Sequence, residues 1–76
     1  MNEFLDLRGL RCPIPVIKLE AAMRKLSPGQ QIRVAADDPL AKIDLPHAAQ
    51  EAGMACEPLP SEHPGSFEFR IIAPGR

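Results

Sequence analysis

The chain of 76 residues has no tryptophan or tyrosine, only three phenylalanines and only two cysteines. So few aromatic rings leave no row of stacking platforms for single-stranded nucleic acid. The net charge of -1 lacks the surplus of lysine and arginine that neutralises phosphates, so we expect no direct nucleic-acid binding. Two cysteines are also sparse for the disulfide framework of a small secreted protein.

Long apolar runs are missing as well. No segment approaches the roughly 20 apolar residues that span a bilayer, so we expect no membrane insertion. The opening residues Met1 to Phe4 lack a basic region followed by an apolar stretch, so we expect no signal peptide and a cytoplasmic protein. In a reducing compartment Cys12 and Cys56 would both be free thiols.

The composition, with 45% hydrophobic and 25% charged residues, is that of a globular protein. Residues 1–76 are expected to form a single domain and a monomer. At this length only about 60% of the unfolded surface can be buried, so the core should be thin.

The apolar periodicity predicts six elements in the order β-α-β-α-β-β. Strands are expected over about 3–7, 31–36, 54–57 and 67–72, and a first helix from Pro13 or Pro15 to the stop signal Ser27-Pro28-Gly29. This order favours a two-layer α/β sandwich, a mixed four-stranded sheet with two helices on one face. The first two strands should be parallel and the last two should form a hairpin.

Two Asp/Pro pairs precede the second helix. Asp38 can cap a helix that starts at Pro39, and Asp44-Leu45-Pro46 repeats the same start signal. Because a proline inside a helix costs about 3 kcal/mol, the pattern predicts a short turn at 39–43 and a restarted helix at about 45–52.

Cys12 lies between the first strand and the first helix, within Arg11-Cys12-Pro13-Ile14-Pro15. A helix N-terminus with Arg8, Arg11 and Lys18 nearby should lower the pKa of this thiol, to the upper part of a range of roughly 3.5–7.5. The opposing interpretation, a buried inert cysteine, is disfavoured because no apolar period runs through residue 12. Cys56 lies within a short strand and is interpreted as a packed small residue.

A zinc site made from both cysteines with His47 and His63 lacks the usual ligand spacings, so we expect no metal and no cofactor. His47 is interpreted as a surface residue near a helix start. His63 falls in a Pro/Gly loop and is expected to be solvated.

The run Cys12-Pro13-Ile14-Pro15 resembles the signature of the TusA/SirA family of small sulfur-carrier proteins. Asp37-Asp38-Pro39 followed by Asp44-Leu45-Pro46 is similar to the family's second motif, and Leu5 to Cys12 is similar to its opening segment. The resemblance covers about residues 4 to 73. It implies the same β-α-β-α-β-β fold.

The resemblance also implies that Cys12 accepts a sulfane sulfur as a persulfide from a donor such as a cysteine desulfurase or a rhodanese. An acceptor protein would then receive it, for transfer-RNA 2-thiouridine synthesis, sulfur oxidation or cofactor assembly. A domain of this size suits a carrier better than a complete enzyme. The hypothesised recognition surface consists of residues around the sulfur: Arg11, Pro13, Ile14, Pro15 and Lys18.

Two other functions compete with the sulfur carrier. One is a regulatory or redox-sensing interaction module, in which Cys12 transfers no sulfur. The other is a protein that binds transfer RNA directly, which fits the charge and the aromatic content badly.

Overall fold

The computed structural model describes residues 2–61 and 63–75. The elements are β1 (Asn2–Asp6), α1 (Ile14–Met23), β2 (Gln31–Ala36), α2 (Ala41–Glu51), β3 (Ala55–Leu59) and β4 (Phe67–Ile72). The predicted order of elements is therefore confirmed. Three residues lie outside the described ranges: Met1, which was part of the segment considered for a signal peptide, Glu62 in the predicted loop, and the terminal Arg76. Within the described ranges, neither helix has the length and apolarity needed to cross a membrane.

The four strands form one mixed sheet in the order β1-β2-β4-β3. β1 and β2 are parallel, whereas β4 is antiparallel to both β2 and β3. The predicted parallel crossover and C-terminal hairpin are thus both present. β1 and β3 are the two edge strands.

Both helices cover the same face of the sheet, as predicted. Directly opposed residues share a face, and the pairs Ile32–Ile71 and Val34–Phe69 are buried in one cluster. Helix residues from α1 and α2 belong to the same cluster, which includes Leu19, Met23, Ala41, Leu45, Ala48 and Ala49. The opposite face is open and carries charged pairs such as Arg33–Glu68. The core is therefore a single layer of side chains between helices and sheet.

The second helix corrects the predicted break. α2 runs without interruption from Ala41 to Glu51 with Pro46 inside it. Pro46 is the sixth of eleven helical residues, so its missing N–H removes a single bond in the middle of the helix, while Leu45 and Ala49 are fully buried. Packing of this apolar face outweighs the local cost of the proline.

The predicted cap at Asp44 is corrected, and Asp38 caps the turn before α2 instead of α2 itself. The N-cap position of α2 is Leu40, with no side-chain cap hydrogen bond, and Asp44 lies inside the first turn of the helix. Asp38 does accept a hydrogen bond from the Leu40 N–H at 3.3 Å, but in the turn that precedes the helix. Both carboxylates are therefore available for contacts outside α2.

The third strand extends further than predicted, from Ala55 to Leu59 rather than from 54 to 57. Pro58 is part of it and is opposite Phe69. A proline is tolerated here because β3 is an edge strand, where one side of the backbone has no partner strand.

Candidate functional site

The site forms where the two parallel strands end. β1 and β2 are adjacent and parallel, so the segments that follow them emerge at the same edge of the sheet. The segment after β1 carries Cys12, the segment after β2 carries Asp37 and Asp38, and the first turn of α2 carries Asp44. Residues about 30 positions apart in the chain therefore meet between the starts of α1 and α2.

Asp38 fixes the backbone of Cys12. Its Oδ2 accepts the Cys12 N–H at 2.7 Å, while its Oδ1 accepts the Leu40 N–H. The Asp38 residue is only 5% exposed, so these hydrogen bonds compensate the burial of its charge.

Asp37 holds the residues just before the cysteine. Its Oδ1 accepts the Gly9 N–H at 3.0 Å and the Arg11 Nη1–H at 3.1 Å. These contacts lower the pKa of Asp37, the Gly9 hydrogen bond being the largest cause. Gly9 has a φ of 86°, which a residue with a side chain adopts only with strain. The tandem aspartates thus clamp the whole segment from Gly9 to Cys12.

The start of α1 differs in detail from the sequence-based expectation. Pro13 occupies the N-cap position, so the cysteine precedes the cap by one residue. The Cys12–Pro13 peptide bond is cis. The Ile14 N–H donates to the Arg11 carbonyl oxygen at 2.9 Å. That donor is consequently engaged by the backbone instead of by the thiol.

The surroundings of the sulfur correct the predicted pKa shift. Cys12 is exposed, and its Sγ lies 3.7 Å from Oδ2 of Asp44, within the range of an S–H···O hydrogen bond. Loss of water around the sulfur raises the pKa of Cys12, and the negative charges of Asp44 and Asp38 raise it further. In the free protein, therefore, the thiol form is favoured over the thiolate.

The expected positive charges are used elsewhere. Arg8 pairs with Asp6 at 2.8 Å and lowers the pKa of that carboxyl to about 2. Arg11 pairs with Asp37. Lys18 lines a different surface, between α1 and β1, together with residues such as Glu3. Sequence neighbours of Cys12 therefore contribute little of the field that the thiol experiences.

A shallow groove of about 300 Å³ between the two helices contains the sulfur. We call it the Cys12 groove, and its lining consists of Cys12, Pro13, Val16, Glu20, Asp44, His47, Ala48 and Glu51. His47 is exposed, as predicted, and it also lines the groove that contains the cysteine. Its Nε2 lies 3.7 Å from Glu51 Oε2. Sequence reasoning missed Asp44, Glu20 and Glu51 as neighbours of the thiol. The predicted parallel pairing of the first two strands was the signal that could have found Asp44.

The four residues considered for a zinc site do not come together. Cys56 is half-buried in β3 opposite Ile71, and burial raises the pKa of its thiol, with a further contribution from Glu57. His63 is exposed and lines a cleft on the open face of the sheet, to which Phe4 also contributes. Within residues 2–61 and 63–75, no three His, Cys, Asp or Glu side chains are placed to hold a metal ion.

The hypothesised recognition surface is partly accessible. Pro15 is fully buried, so it can support α1 but cannot contact a partner. Ile14 is 41% exposed and Ile17 is 54% exposed, and on α2 Leu40 and Ile43 are more exposed still. These aliphatic side chains all lie at the beginnings of the two helices, the ends that carry Cys12 and Asp44.

Comparison with known proteins gives a consistent result. The family model described as sulfurtransferase TusA matches residues 3–72. A candidate sulfur carrier protein of Thermotoga maritima is 33% identical over 71 residues, which cover 93% of this chain and 87% of that protein. The crystal structure of a SirA-like protein from Desulfitobacterium hafniense superposes with a TM-score of 0.82 at 30% identity, covering 95% of this chain and 97% of that one.

Proposed function

The chain belongs to the TusA sulfurtransferase family, and from this premise we propose that it carries sulfane sulfur as a persulfide on Cys12. A donor protein, a cysteine desulfurase or a rhodanese, loads the thiol. An acceptor protein then removes the sulfur, for transfer-RNA 2-thiouridine synthesis or for another branch of sulfur metabolism. The proposal places both steps in a reducing, cytoplasmic compartment, where the thiol stays free between transfers.

The exposed position of Cys12 is the observation that carries this proposal. Its sulfur lies at the surface, at a junction clamped by Asp37 and Asp38, whereas Cys56 is half-buried in the sheet. A sulfur that must reach the active sites of two other proteins has to project from a firm base. Cys12 meets both requirements.

The proposed reaction is redox-neutral. The Cys12 thiolate attacks the terminal sulfur of the donor's persulfide, a new S–S bond forms on Cys12, and the donor cysteine leaves as a thiolate that takes up the proton released by Cys12. In the second half-reaction the acceptor's thiolate attacks the terminal sulfur on Cys12. The Cys12 thiolate is then the leaving group and recovers a proton.

The surface around the sulfur supports transfer between proteins. The Cys12 groove is shallow and open, and exposed aliphatic side chains such as Ile14 and Ile43 lie at the same ends of the helices. Exposed apolar residues with a polar surround are typical of protein interaction sites. Arg11, Pro13 and Ile14 are the exposed members of the hypothesised recognition surface that lie within two residues of Cys12 in the chain.

Sulfur loading can be tested by intact mass. The reduced protein is incubated with a cysteine desulfurase and cysteine, and with a rhodanese and thiosulfate, and is then measured without reductant. We expect a gain of one sulfur atom that reductant reverses. The gain should be absent in Cys12→Ser and retained in the matched variant Cys56→Ser.

The alternative function gives a different result. A regulatory or redox-sensing module would gain no sulfur from either donor. Equal loading of wild type and Cys12→Ser would also contradict the proposal, because the sulfur would then reside on another group.

A further inference from the structure

The Cys12 groove has a strongly one-sided charge. Glu20 comes from α1, and Asp44 and Glu51 come from α2. Among the described residues that line it there is no lysine or arginine, and His47 adds positive charge only when protonated. Arg11, next to the cysteine in sequence, is already paired with Asp37. At neutral pH the groove therefore presents uncompensated negative charge beside the thiol.

The floor of the groove is apolar and continues away from the sulfur. Val16 and Ala48 line the groove together with the acidic side chains, and both pack into or against the core. Beyond Glu20, Ala48 and Glu51, a second groove of about 440 Å³ extends to Met23 and Met54, with Arg24 as its single described cationic lining residue. An apolar floor with a charged rim is the usual character of a protein docking surface.

We propose that the donor protein that loads Cys12 docks on the Cys12 groove through lysine or arginine side chains, and that these cations release the Cys12 proton. The inference rests on the proposed sulfur-carrier function and specifies the class of donor, one with a basic surface around its persulfide. Complementary charge would also speed the encounter of the two proteins.

The release of the proton follows from the contact between Cys12 and Asp44. In the free protein the Asp44 carboxylate accepts a hydrogen bond from the Cys12 S–H, with 3.7 Å between Sγ and Oδ2. Its negative charge opposes the formation of a second negative charge on the sulfur. A donor cation placed against Asp44 offsets that repulsion, so a larger fraction of Cys12 is thiolate in the complex than in the free protein. The released proton passes to the donor cysteine as it leaves, which completes the balance of the transfer.

The test uses two model peptides of equal length, each with one cysteine held as a mixed disulfide with thionitrobenzoate. One peptide has lysine and arginine around the cysteine and the other has glutamate. In a Cys56→Ser background, the Cys12 thiolate forms a disulfide with the peptide and releases coloured thionitrobenzoate. We expect the basic peptide to react at least about tenfold faster at low ionic strength. The preference should vanish near 1 M salt, where the Debye length is about 3 Å.

Matched charge removals locate the effect. Glu20→Gln with Glu51→Gln removes two charges from the groove, and Glu57→Gln with Glu68→Gln removes two from the open face of the sheet. We expect the first pair to lose most of the preference and the second pair to keep it. Equal rates for the two peptides, or an equal loss in both double variants, would overturn the inference.

The peptide reaction involves no sulfane sulfur, so the two hypotheses fail separately. If Cys12 takes up sulfur in the intact-mass experiment but reacts equally fast with the basic and acidic peptides, only the inference is wrong. If Cys12 takes up no sulfur from them, the proposed function falls, whatever the peptides show.

Discussion

Cys12 and Cys56 are the same side chain in two contrasting settings. Cys12 is exposed at a loop-to-helix junction, and carboxylates from a distant part of the chain surround it. Cys56 is half-buried in an edge strand, and the charged neighbour that acts on it is Glu57, the next residue. The pKa of both thiols is raised, so the direction of the shift does not distinguish them.

The difference lies in what a partner could change. At Cys56 the main cause of the raised pKa is burial in the protein's own fold, which docking leaves in place. At Cys12 loss of water around the sulfur is again the largest cause, but the charge of Asp44, which borders an open groove, adds to it. A cysteine that reacts with a partner protein can therefore have a raised pKa in the free protein, provided that the partner can offset the charges that raise it.

Removal of the clamp should have the largest effect on this contrast. Asp38→Ala leaves the N–H groups of Cys12 and Leu40 without their acceptor, and a lost hydrogen bond to a buried charge costs about 2 kcal/mol. We expect that loss in the free energy of unfolding, measured with urea. Asp37→Ala, at a more exposed carboxylate, is the matched control and should cost less. Equal losses would show that burial of Asp38 contributes nothing.

Alkylation by iodoacetamide should separate the thiols directly. In the folded protein we expect Cys12 to react about tenfold or more faster than Cys56, because Cys56 needs a local opening of β3. Peptide mapping after short reaction times gives the ratio. In denaturant the two rates should converge, and a ratio that persists there would contradict a structural origin.

Asp44→Asn should sharpen the contrast further. The substitution removes a negative charge 3.7 Å from the sulfur while keeping a polar side chain of similar size. We expect the pKa of Cys12 to fall, so that its alkylation at neutral pH rises several-fold while that of Cys56 is unchanged. The pH dependence of the alkylation rate measures this shift. Glu57→Gln, beside Cys56, should leave the Cys12 profile where it was.

The smallest expected effect is on stability at alkaline pH. A thiol whose pKa is raised by folding stabilises the folded state below the pKa of the unfolded chain, about 8.5, and loses that contribution as the pH rises through its folded value. Unfolding free energy should therefore decline above about pH 8.5. Cys12→Ser and Cys56→Ser should each remove part of the decline, and an unchanged slope in both variants would contradict the raised values.

Much of the fold could be predicted because its signals are local. Alternation fixed β2 and β4 to within a residue, and the order of elements implied the parallel and antiparallel pairs. One miss is the end of α1, at Met23 instead of just before Ser27. Two others occurred where tertiary context outweighed a local rule. Pro46 is tolerated because buried neighbours hold α2, and Pro58 because β3 is an edge strand.

The site was only half predictable for the same reason. Cys12 stood out from its own sequence neighbourhood, but its electrostatic surroundings did not. Arg8 and Arg11, adjacent in sequence, are paired with carboxylates, while Asp44 approaches from 32 residues away. Charge near a residue in sequence is a poor guide to the field at its side chain when the fold brings a second helix start to the same edge.

The clamp made by Asp37 and Asp38 also has an entropic consequence. A mobile loop would lose conformational freedom on entering a partner's active site, at about 1–2 kcal/mol for each residue fixed. Here the backbone of Gly9 and Cys12 is already held before any partner arrives. Asp37 and Asp38 thus raise the affinity for a partner without contacting it, because the segment they hold is ordered during folding and loses little further entropy on binding.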